Sequence, residues 1–262
     1  MSKKFEDNKN ASNAQGKSQL FKEIHFETID STNTWAKNHW QEWDPLGLTI
    51  VSATTQTAGR GRFKRQWHSP PHVNLYVTYC FWLKNHTLTI GHVPQLLALA
   101  AVHVLEKMNF LPTIKWPNDV LLQGKKVAGI LCETIVINEK RGIVCGIGLN
   151  VNMTKEDLSL IDRPATSLYA ETGLTYDLKS IQTDIQHCFA AYLDSWSIKG
   201  FDIFFALLNK HSTYQEGDLV YFNDHQGIVK AYFEKLHPDG SVWLRLMDGS
   251  LKICHAGEFN FN

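Results

Sequence analysis

The alternation of helical and strand-like segments stops near Gly217, and this change constrains the fold more than any other feature of the sequence. After it come only short apolar segments, separated by turn sequences such as His237-Pro-Asp-Gly and Asp248-Gly. Closely spaced short strands with such turns are typical of a small barrel. The sequence therefore predicts an α+β core followed by a small all-β unit, with the boundary near residue 213.

Apolar periodicity divides the chain into predicted strands and helices. In the core, strands are predicted at 21–29, 48–53, 73–81, 113–116, 127–136 and 142–149. Asp30 and Ser31 can cap a helix that follows through Trp35 to Trp40, and further helices are predicted at 93–108, 178–196 and 201–210. The strands of the C-terminal unit are predicted at 219–222, 228–236, 242–246 and 251–254. The stretch 54–72 shows neither period and is predicted to be a loop, which at this length is usually functional.

Residues 1–20 are polar and contain no apolar run. They are predicted to be a disordered leader and not a signal peptide. We expect one domain over residues 21–212 and a second, β-rich domain over residues 213–262.

Charge and cysteine content exclude several classes of protein. Lys and Arg total 26, and Asp and Glu total 26, so the formal net charge is zero. Broad nucleic-acid binding usually needs a positive excess, and a membrane span needs roughly 18 apolar residues in a row, which this sequence lacks. The five cysteines are widely spaced and form no metal-binding pattern, so we predict reduced thiols, a cytoplasmic location and no metal site.

The segment from Gln56 to Arg62 combines two glycines with two arginines, and Lys64 and Arg65 follow closely. Glycines let backbone N–H groups approach a ligand, and clustered cations suit a polyphosphate or phosphoanhydride. The segment matches neither the Walker pattern nor the dinucleotide fingerprint. From the loop alone, a solvated basic turn or a nucleic-acid patch stays open.

Three further segments can carry chemistry, each with a simpler alternative. Lys115 precedes the turn Pro117-Asn118-Asp119, where its ammonium can project into a cleft, although an ordinary hairpin turn fits equally well. Gly129 interrupts an apolar strand, which indicates close approach of a flat ligand or, more simply, of another backbone. Asn150 ends a strand and can hydrogen-bond a ligand, but alone it is a weak signal.

Taken in order along the chain, these segments resemble the biotin protein ligase family. The motifs that carry the resemblance are Ser31-Thr32-Asn33, Gln56-Thr-Ala-Gly-Arg-Gly-Arg62, Lys115-Trp-Pro-Asn-Asp119, Lys126-Val-Ala-Gly-Ile-Leu131 and Gly148-Leu-Asn150. The resemblance runs from about residue 24 to the end and includes Gly257-Glu258 in the β-rich part.

The resemblance implies a core related to class II aminoacyl-tRNA synthetases, a mixed sheet backed by helices, followed by an SH3-like barrel. It implies an ATP- and Mg²⁺-dependent enzyme that activates biotin as biotinyl-5′-AMP. The biotin would then pass to a lysine of the biotin carboxyl carrier domain of a carboxylase. A lipoate or octanoate ligase or transferase shares this core and is the alternative, as is a non-enzymatic module that binds RNA or DNA through the basic loop.

The resemblance also implies the site residues. Lys115 and Arg62 would supply catalytic charge. Biotin would be bound by Ser31, Thr32, Asn33, Gln56, Gly59, Arg60, Gly61, Lys115 and Gly129. ATP would be bound by Arg60, Arg62, Arg65, Trp67, Lys115, Asn118 and Asn150.

Two features depart from the family pattern. Bifunctional members carry an N-terminal helix-turn-helix, and the polar residues 1–20 are too few for one, so we expect no operator DNA binding. Phe63-Lys64 stand where relatives often continue Arg-Gly-Arg, which leaves the closure of the loop open. We expect residues 57–68 to be mobile without ligand and ordered with it. A homodimer is neither predicted nor excluded.

Overall fold

The computed structural model describes residues 3–6, 21–83 and 89–260. Its strands are β1 (Lys3–Glu6), β2 (Phe21–Ile29), β3 (Leu48–Gln56), β4 (Asn74–Trp82), β5 (Pro112–Lys115), β6 (Asp119–Leu122), β7 (Lys125–Ile137), β8 (Lys140–Asn150), β9 (Leu219–Asp224), β10 (Gly227–Leu236), β11 (Val242–Leu246), β12 (Leu251–Cys254) and β13 (Glu258–Phe259). Its α-helices are α1 (Thr32–Asn38), α2 (His92–Lys107), α3 (Lys155–Leu158), α4 (Leu168–Thr172), α5 (Leu178–Lys199) and α6 (Asp202–Lys210).

The first eight strands form one mixed sheet in the order β1-β2-β3-β4-β8-β7-β6-β5. Strands β2 and β3 are parallel, with Ile24 opposite Val51, and the other neighbouring strands are antiparallel. A parallel pair needs a crossover connection, and the segment that contains α1 supplies it. The predicted mixed sheet backed by helices is confirmed.

One face of this sheet is covered by α2 and α5. Helix α2 is rich in Ala and Leu, which favour helix, has Pro94 in its first turn, and is followed by Asn109 in the left-handed region (φ 66°). It is buried nearly all round because it lies between the sheet and α5. Each buried leucine, such as Leu97 or Leu105, contributes roughly 1.5–3 kcal/mol to folding.

The opposite face is covered only in part. Trp35 of α1 and Trp43 pack over Phe26, Val51 and their neighbours. The open part of this face lies over β7 and β8 and forms a cleft. The short crossover segment therefore leaves room for a ligand on a rigid sheet.

The C-terminal strands form a second, antiparallel sheet in the order β12-β11-β10-β9-β13. Val220, Phe222 and Leu244 on its inner face join the apolar core of the first sheet. The predicted all-β unit after the α+β core is confirmed. Next to the predicted boundary, Thr213 N donates to Ile114 O (2.9 Å), so the connecting segment is itself hydrogen-bonded to β5.

Parts of the predicted structure need correction. The disordered leader predicted over residues 1–20 is wrong at Lys3–Glu6, which pair with β2, because an edge strand offers backbone groups that another segment can pair with. The remaining leader residues, 1–2 and 7–20, lie outside the described residues. Strand β3 continues to Gln56, and a short 3₁₀ helix at Arg62–Lys64 interrupts the predicted loop.

Short elements were missed, namely β6, β13, α3 and α4. Four or five residues, or two in β13, are too few to show a period of their own. The predicted cap of the first helix is confirmed, because Ser31 accepts a hydrogen bond from Thr34 N (3.4 Å) and the helix begins at Thr32. It ends at Asn38, before the predicted end at Trp40.

Candidate active site

A cleft of about 620 Å³ opens over β7 and β8, on the face that carries α1. Its walls are the start of α1, the loop after β3, the β5–β6 turn, residues 160–163 and residues 258–260. Cations exceed carboxylates along these walls, which suits an anionic ligand. The charged residues are Arg60, Arg62, Arg65, Lys115, Lys126 and Arg163 against Asp119, Asp162 and Glu258.

With one exception, the site residues predicted from the sequence line this cleft. The exception is Gly59, which packs beneath the loop, where a Cβ would lie 2.8 Å from Ser69 Oγ and from Trp67 O. Gly59 therefore shapes the loop and does not face the cleft. The lining residues are Ser31, Thr32, Asn33, Gln56, Arg60, Gly61, Arg62, Arg65, Trp67, Lys115, Asn118, Gly129 and Asn150.

One end of the cleft is a network of uncharged polar side chains. Gln56 Oε1 accepts from Thr32 N (3.0 Å) and Thr32 Oγ1 (3.2 Å). The buried Thr78 Oγ1 lies 2.8 Å from Thr32 Oγ1 and 2.6 Å from Asn33 Oδ1, and Asn33 Nδ2 donates to Leu131 O (3.1 Å). These mutual bonds hold the side chains in place, and they present both donors and acceptors to a neutral polar ring.

The floor of the cleft is flat because β7 and β8 carry glycines there. A Cβ on Gly148 would lie 2.3 Å from Trp67 Cε2, and one on Gly146 would lie 2.2 Å from Asn33 Oδ1. The Trp67 indole rests on this floor, and its buried Nε1 has no hydrogen-bond partner within residues 3–6, 21–83 and 89–260. A buried donor of this kind is available to a ligand.

Arg62 and Arg65 tie the glycine-arginine loop to the second sheet. Arg62 Nη1 donates to Gly257 O (2.9 Å) and to Asn118 Oδ1 (3.2 Å). Arg65 forms a two-pronged ion pair with Glu258, with Nη1 2.6 Å from Oε2. Burial lowers the pKa of Arg62, and the hydrogen bond to Glu258 raises the pKa of Arg65. Both guanidinium groups stay charged at neutral pH.

The glycine-arginine loop reverses direction at Phe63 and Lys64. Both have left-handed backbones (φ 54° and 60°), which are uncommon outside glycine. The guanidinium carbons of Arg62 and Arg65 lie 4.9 and 5.6 Å from the centre of the Phe63 ring. Gly61 N donates to Arg65 O (2.8 Å), so the loop closes on itself.

Glu133 connects the loop to the uncharged end. Its carboxylate is 2.8 Å from Arg60 Nη2 and 2.7 Å from Lys37 Nζ, and it accepts from Asn33 Nδ2 (3.1 Å). Burial alone would raise the pKa of Glu133, but the hydrogen bonds from Lys37 and Asn33 and the charge of Arg60 hold it below its usual value. Glu133 is therefore ionised at neutral pH.

Lys115 ends β5 and pairs in register with Asp119 across the turn. The residue is only 3% exposed. Burial lowers the pKa of Lys115 to about 8, although the charges of Asp119 and Glu258 oppose the shift. The ammonium is thus mainly charged at pH 7 but poorly hydrated, so it attracts an entering anion strongly. The charge of Lys126, whose Nζ is 2.6 Å from Asp119 Oδ1, also lowers the pKa of Lys115.

The two asparagines expected on the nucleotide side already bond to protein. Asn118 Nδ2 donates to Ile130 O (2.6 Å), and Asn150 Nδ2 donates to Thr166 O (3.0 Å). Asn150 also lies 3.5 Å from Asn74. Both residues therefore brace the wall of the cleft.

Comparisons with known proteins assign this site to a family. The sequence profile of the Biotin/lipoate A/B protein ligase family matches residues 25–150. A biotin protein ligase from Aquifex aeolicus, solved in complex with biotin and ATP, superposes with a TM-score of 0.76 at 30% identity, over 91% of this chain and 97% of that one. The chain belongs to the biotin/lipoate A/B protein ligase family.

Members of this family with similar sequences include the bifunctional ligase/repressor BirA of Bacillus spizizenii, which is 34% identical over 184 residues. That alignment covers 68% of this chain and 55% of the relative, so the chain spans about half the length of the Bacillus proteins it matches. BirA of Escherichia coli is 29% identical over 244 residues, which cover 87% of this chain and 73% of the relative. The likeness to the Aquifex ligase confirms the α+β fold that the resemblance implied.

Several residues of the site were missed by the sequence analysis. Thr78 lies within an apolar strand and could not be told from a core threonine. Glu258 belongs to the Gly257-Glu258 motif, which gave a signal but no role. Glu133 binds Arg60, 73 positions away, which no local pattern shows. Lys126 belongs to the Lys126–Leu131 motif but was given no role, and it pairs with Asp119 on the neighbouring strand.

In the part of the chain that the structure describes, no group of three or more His, Cys, Asp and Glu side chains is placed to hold a metal ion. Within the same residues, no helix is long and apolar enough to cross a membrane.

Proposed function

We propose that this chain is an ATP-dependent biotin protein ligase. It would join biotin to AMP and then transfer biotin to a lysine of a biotin carboxyl carrier domain. The proposal is supported by the likeness to an Aquifex aeolicus ligase solved with biotin and ATP, which covers 91% of this chain and 97% of the Aquifex chain. The observation that carries it is a single cleft with an uncharged hydrogen-bonding end and a cationic end.

The uncharged end suits the ureido ring of biotin. A ureido group has N–H donors and a carbonyl acceptor, and Ser31, Thr32, Asn33 and Gln56 offer partners for both. The floor at Gly129 would lie under the flat part of the ligand. A dithiolane or a plain acyl chain makes no such bonds, so this end favours biotin over lipoate or octanoate.

The cationic end suits the first chemical step. The biotin carboxylate attacks the α-phosphorus of ATP, an oxygen–phosphorus bond forms, and pyrophosphate leaves. Negative charge grows on the phosphoryl oxygens, where Lys115 and Arg62 offset it in a partly dry site. Arg60, Gly61 and Arg65 would hold the phosphates and the biotin carboxylate, with Trp67, Asn118 and Asn150 on the nucleotide side.

The second step transfers the biotinyl group. The neutral amine of the carrier lysine attacks the acyl carbon of biotinyl-AMP, an amide forms, and AMP leaves with the bonding electrons. The loop from Gly59 to Trp67 would keep water from the mixed anhydride. The ion pairs of Arg60 with Glu133 and of Arg65 with Glu258 would hold this loop over the cleft.

Mg²⁺ fits this site as a companion of ATP. The ion usually keeps several waters and binds phosphates with one or two carboxylates. The carboxylates of Asp119 and Glu258 line the cleft, each paired with a cation, which suits an ion held mainly by phosphate oxygens. When bound, it would neutralise charge on the leaving pyrophosphate.

The carrier domain is the partner expected from the second step. The cytoplasmic location and the lack of operator DNA binding stay predictions from the sequence.

Radiolabelled pyrophosphate exchange into ATP tests the proposal. We expect exchange with biotin and Mg²⁺, and a loss of about a hundredfold or more in Lys115→Ala, because a preorganised charge at the transition state is removed. Lys125→Ala, ten residues away and exposed, is the matched control and should retain exchange.

Other outcomes are informative. Exchange with lipoate or octanoate and not biotin would move the chain to the sister activity. Folded wild-type protein without exchange for any of the acids would contradict the proposal.

A further inference from the structure

The turn between β10 and β11 is compact and packs against helix α2. His237 N donates to Ser241 O (2.9 Å), and Gly240 N donates to His237 O (2.9 Å). Asp239 Oδ1 accepts from Ser241 N (2.8 Å) and closes the turn from the side. With these bonds the turn residues 237–241 behave as one body.

Two residues of α2 hold this turn. His92 Nε2 lies 3.0 Å from Pro238 O, and Gln95 Nε2 donates to Gly240 O (3.1 Å). The His92 ring stacks on Phe201 at 4.0 Å between ring centres. His92 is 7% exposed, so the contact is made without water.

The bonding of the His92 ring defines its protonation. Trp196 Nε1, which can only donate, lies 3.3 Å from His92 Nδ1, so Nδ1 is the acceptor. The proton therefore sits on Nε2 and is donated to the Pro238 carbonyl. Burial lowers the pKa of His92, which favours this neutral form.

The carbonyl of Gly240 also reaches the active site. Trp116 Nε1 donates to Gly240 O (2.9 Å), and Trp116 directly follows Lys115. The Trp116 ring packs against Phe222 and Phe259, at 5.9 and 6.2 Å between centres. Lys115 precedes Trp116 in the chain, and Glu258 precedes Phe259. The contact between the Trp116 and Phe259 rings therefore helps to fix the position of Lys115 relative to Glu258, which binds Arg65 of the loop.

We infer that His92 is a positioning residue, which acts through the 237–241 turn and Trp116 to hold Lys115 and Glu258 in their places across the cleft. It touches no substrate. The effect on catalysis rests on the proposed function. The attachment of the 237–241 turn to α2 through His92 does not depend on that function and can be tested separately.

Two substitutions separate the hydrogen bonds of His92 from its packing. His92→Phe keeps a ring to stack on Phe201 but removes both bonds. His92→Gln offers a donor and an acceptor and should restore them. We measure amide hydrogen exchange over residues 113–120 and 257–260, and pyrophosphate exchange with biotin.

For His92→Phe we expect about fivefold faster amide exchange in both segments and a similar fall in kcat, because the buried hydrogen bond that joins His92 to the 237–241 turn is lost. KM for biotin and ATP should change by less than about twofold, because the residues that bind them stay in place. His92→Gln should return both quantities to within about twofold of wild type.

A double-substitution cycle tests the route through Trp116. Trp116→Phe removes the indole donor to Gly240 and keeps a smaller aromatic ring beside Phe222 and Phe259. If His92 acts through this contact, the double variant should lose no more kcat than the more impaired single variant, whereas independent effects would multiply.

Several results would overturn the inference. They are unchanged amide exchange at 113–120 in His92→Phe, multiplicative effects in the double variant, or a variant whose kcat is normal per folded molecule. Should His92→Phe not fold, Gln95→Met removes the second bond to the turn and is judged by the same measures. A wild-type protein without pyrophosphate exchange would contradict the proposed function. Amide exchange would still show whether His92 holds the 237–241 turn and the segments 113–120 and 257–260 in place.

Discussion

The two ends of the cleft are built from different interactions. The uncharged end, around Thr32, Gln56 and Thr78, is a set of neutral hydrogen bonds between side chains of α1, β3 and β4. The cationic end depends on ion pairs, such as Arg65 with Glu258 and Arg60 with Glu133. Neutral buried bonds are lost only at a cost to folding, whereas partly exposed ion pairs contribute little and exchange partners readily.

This difference indicates how one cleft can both select a ligand with a neutral polar head and bind a reacting polyphosphate. A neutral ligand head needs a preformed surface, because its binding energy must not be spent on ordering protein groups. A polyphosphate can replace the carboxylates as the partner of the arginines, so the arginines stay paired while the released carboxylates turn to solvent. The uncharged end should therefore contribute to the stability of the protein and the cationic end to its response to charge, pH and salt.

The largest expected effect concerns pH at the cationic end. The pKa of Lys115 is lowered from 10.5 to about 8 by burial, so its charge is lost as the pH rises through about 8. We expect kcat/KM for ATP in pyrophosphate exchange to fall about tenfold per pH unit above that value, since the charged form stabilises the transition state. Lys115→Arg should remove this limb, because a guanidinium stays charged.

Stability should change in the opposite direction. Between pH about 8 and 10.5 the unfolded chain holds the Lys115 proton and the folded chain has released it, so unfolding becomes less favourable as pH rises. Denaturant titrations at pH 8 and pH 10, compared with Lys115→Met, isolate the contribution of this residue. A steeper fall of stability in wild type than in the variant would contradict the assignment.

The second effect concerns the uncharged end. Thr78→Val keeps the shape of the buried side chain but leaves Asn33 Oδ1 and Thr32 Oγ1 with fewer partners. We expect a loss of about 1–3 kcal/mol in the free energy of unfolding and weaker biotin binding, measured by denaturant titration and calorimetry. Thr134→Val, on the exposed part of β7, is the control and should change neither. Equal stability of the two variants would contradict the claim that the hydrogen bonds of the uncharged end stabilise the fold.

The smallest effect on stability is expected at the loop. Glu258→Gln removes the ion pair with Arg65, an exposed pair whose loss changes folding by less than about 1 kcal/mol. Cleavage by trypsin within residues 60–65 should nevertheless rise several-fold without ligand, because the loop is released from β13. A biotinyl-AMP analogue should suppress this cleavage in both proteins.

The matched control is Glu234→Gln, which breaks the two-pronged pair with Arg245 on the second sheet, away from the cleft. Its loop should be cut at the wild-type rate. Equal cutting of Glu258→Gln and wild type would show that Glu258 does not restrain the loop.

Local patterns predicted much of the fold. The strands Phe21–Ile29, Val242–Leu246 and Leu251–Cys254 have the predicted bounds, and α2 and α5 begin within one residue of theirs. Period and turn chemistry are properties of neighbouring residues, so the sequence shows them directly. The motifs likewise identified a family that the Aquifex likeness supports.

Other features depend on contacts between distant segments. Arg65 meets Glu258 across 193 positions of the chain, and Arg62 meets Gly257 across 195. Whether Gly59 faces the cleft or packs beneath the loop was decided in the same way, by the position of Ser69 and Trp67. The sequence by itself determined the longer elements, the family and most of the residues around the cleft. Only the tertiary structure decided their partners, because burial, charge pairing and pKa depend on which atoms lie nearby in space.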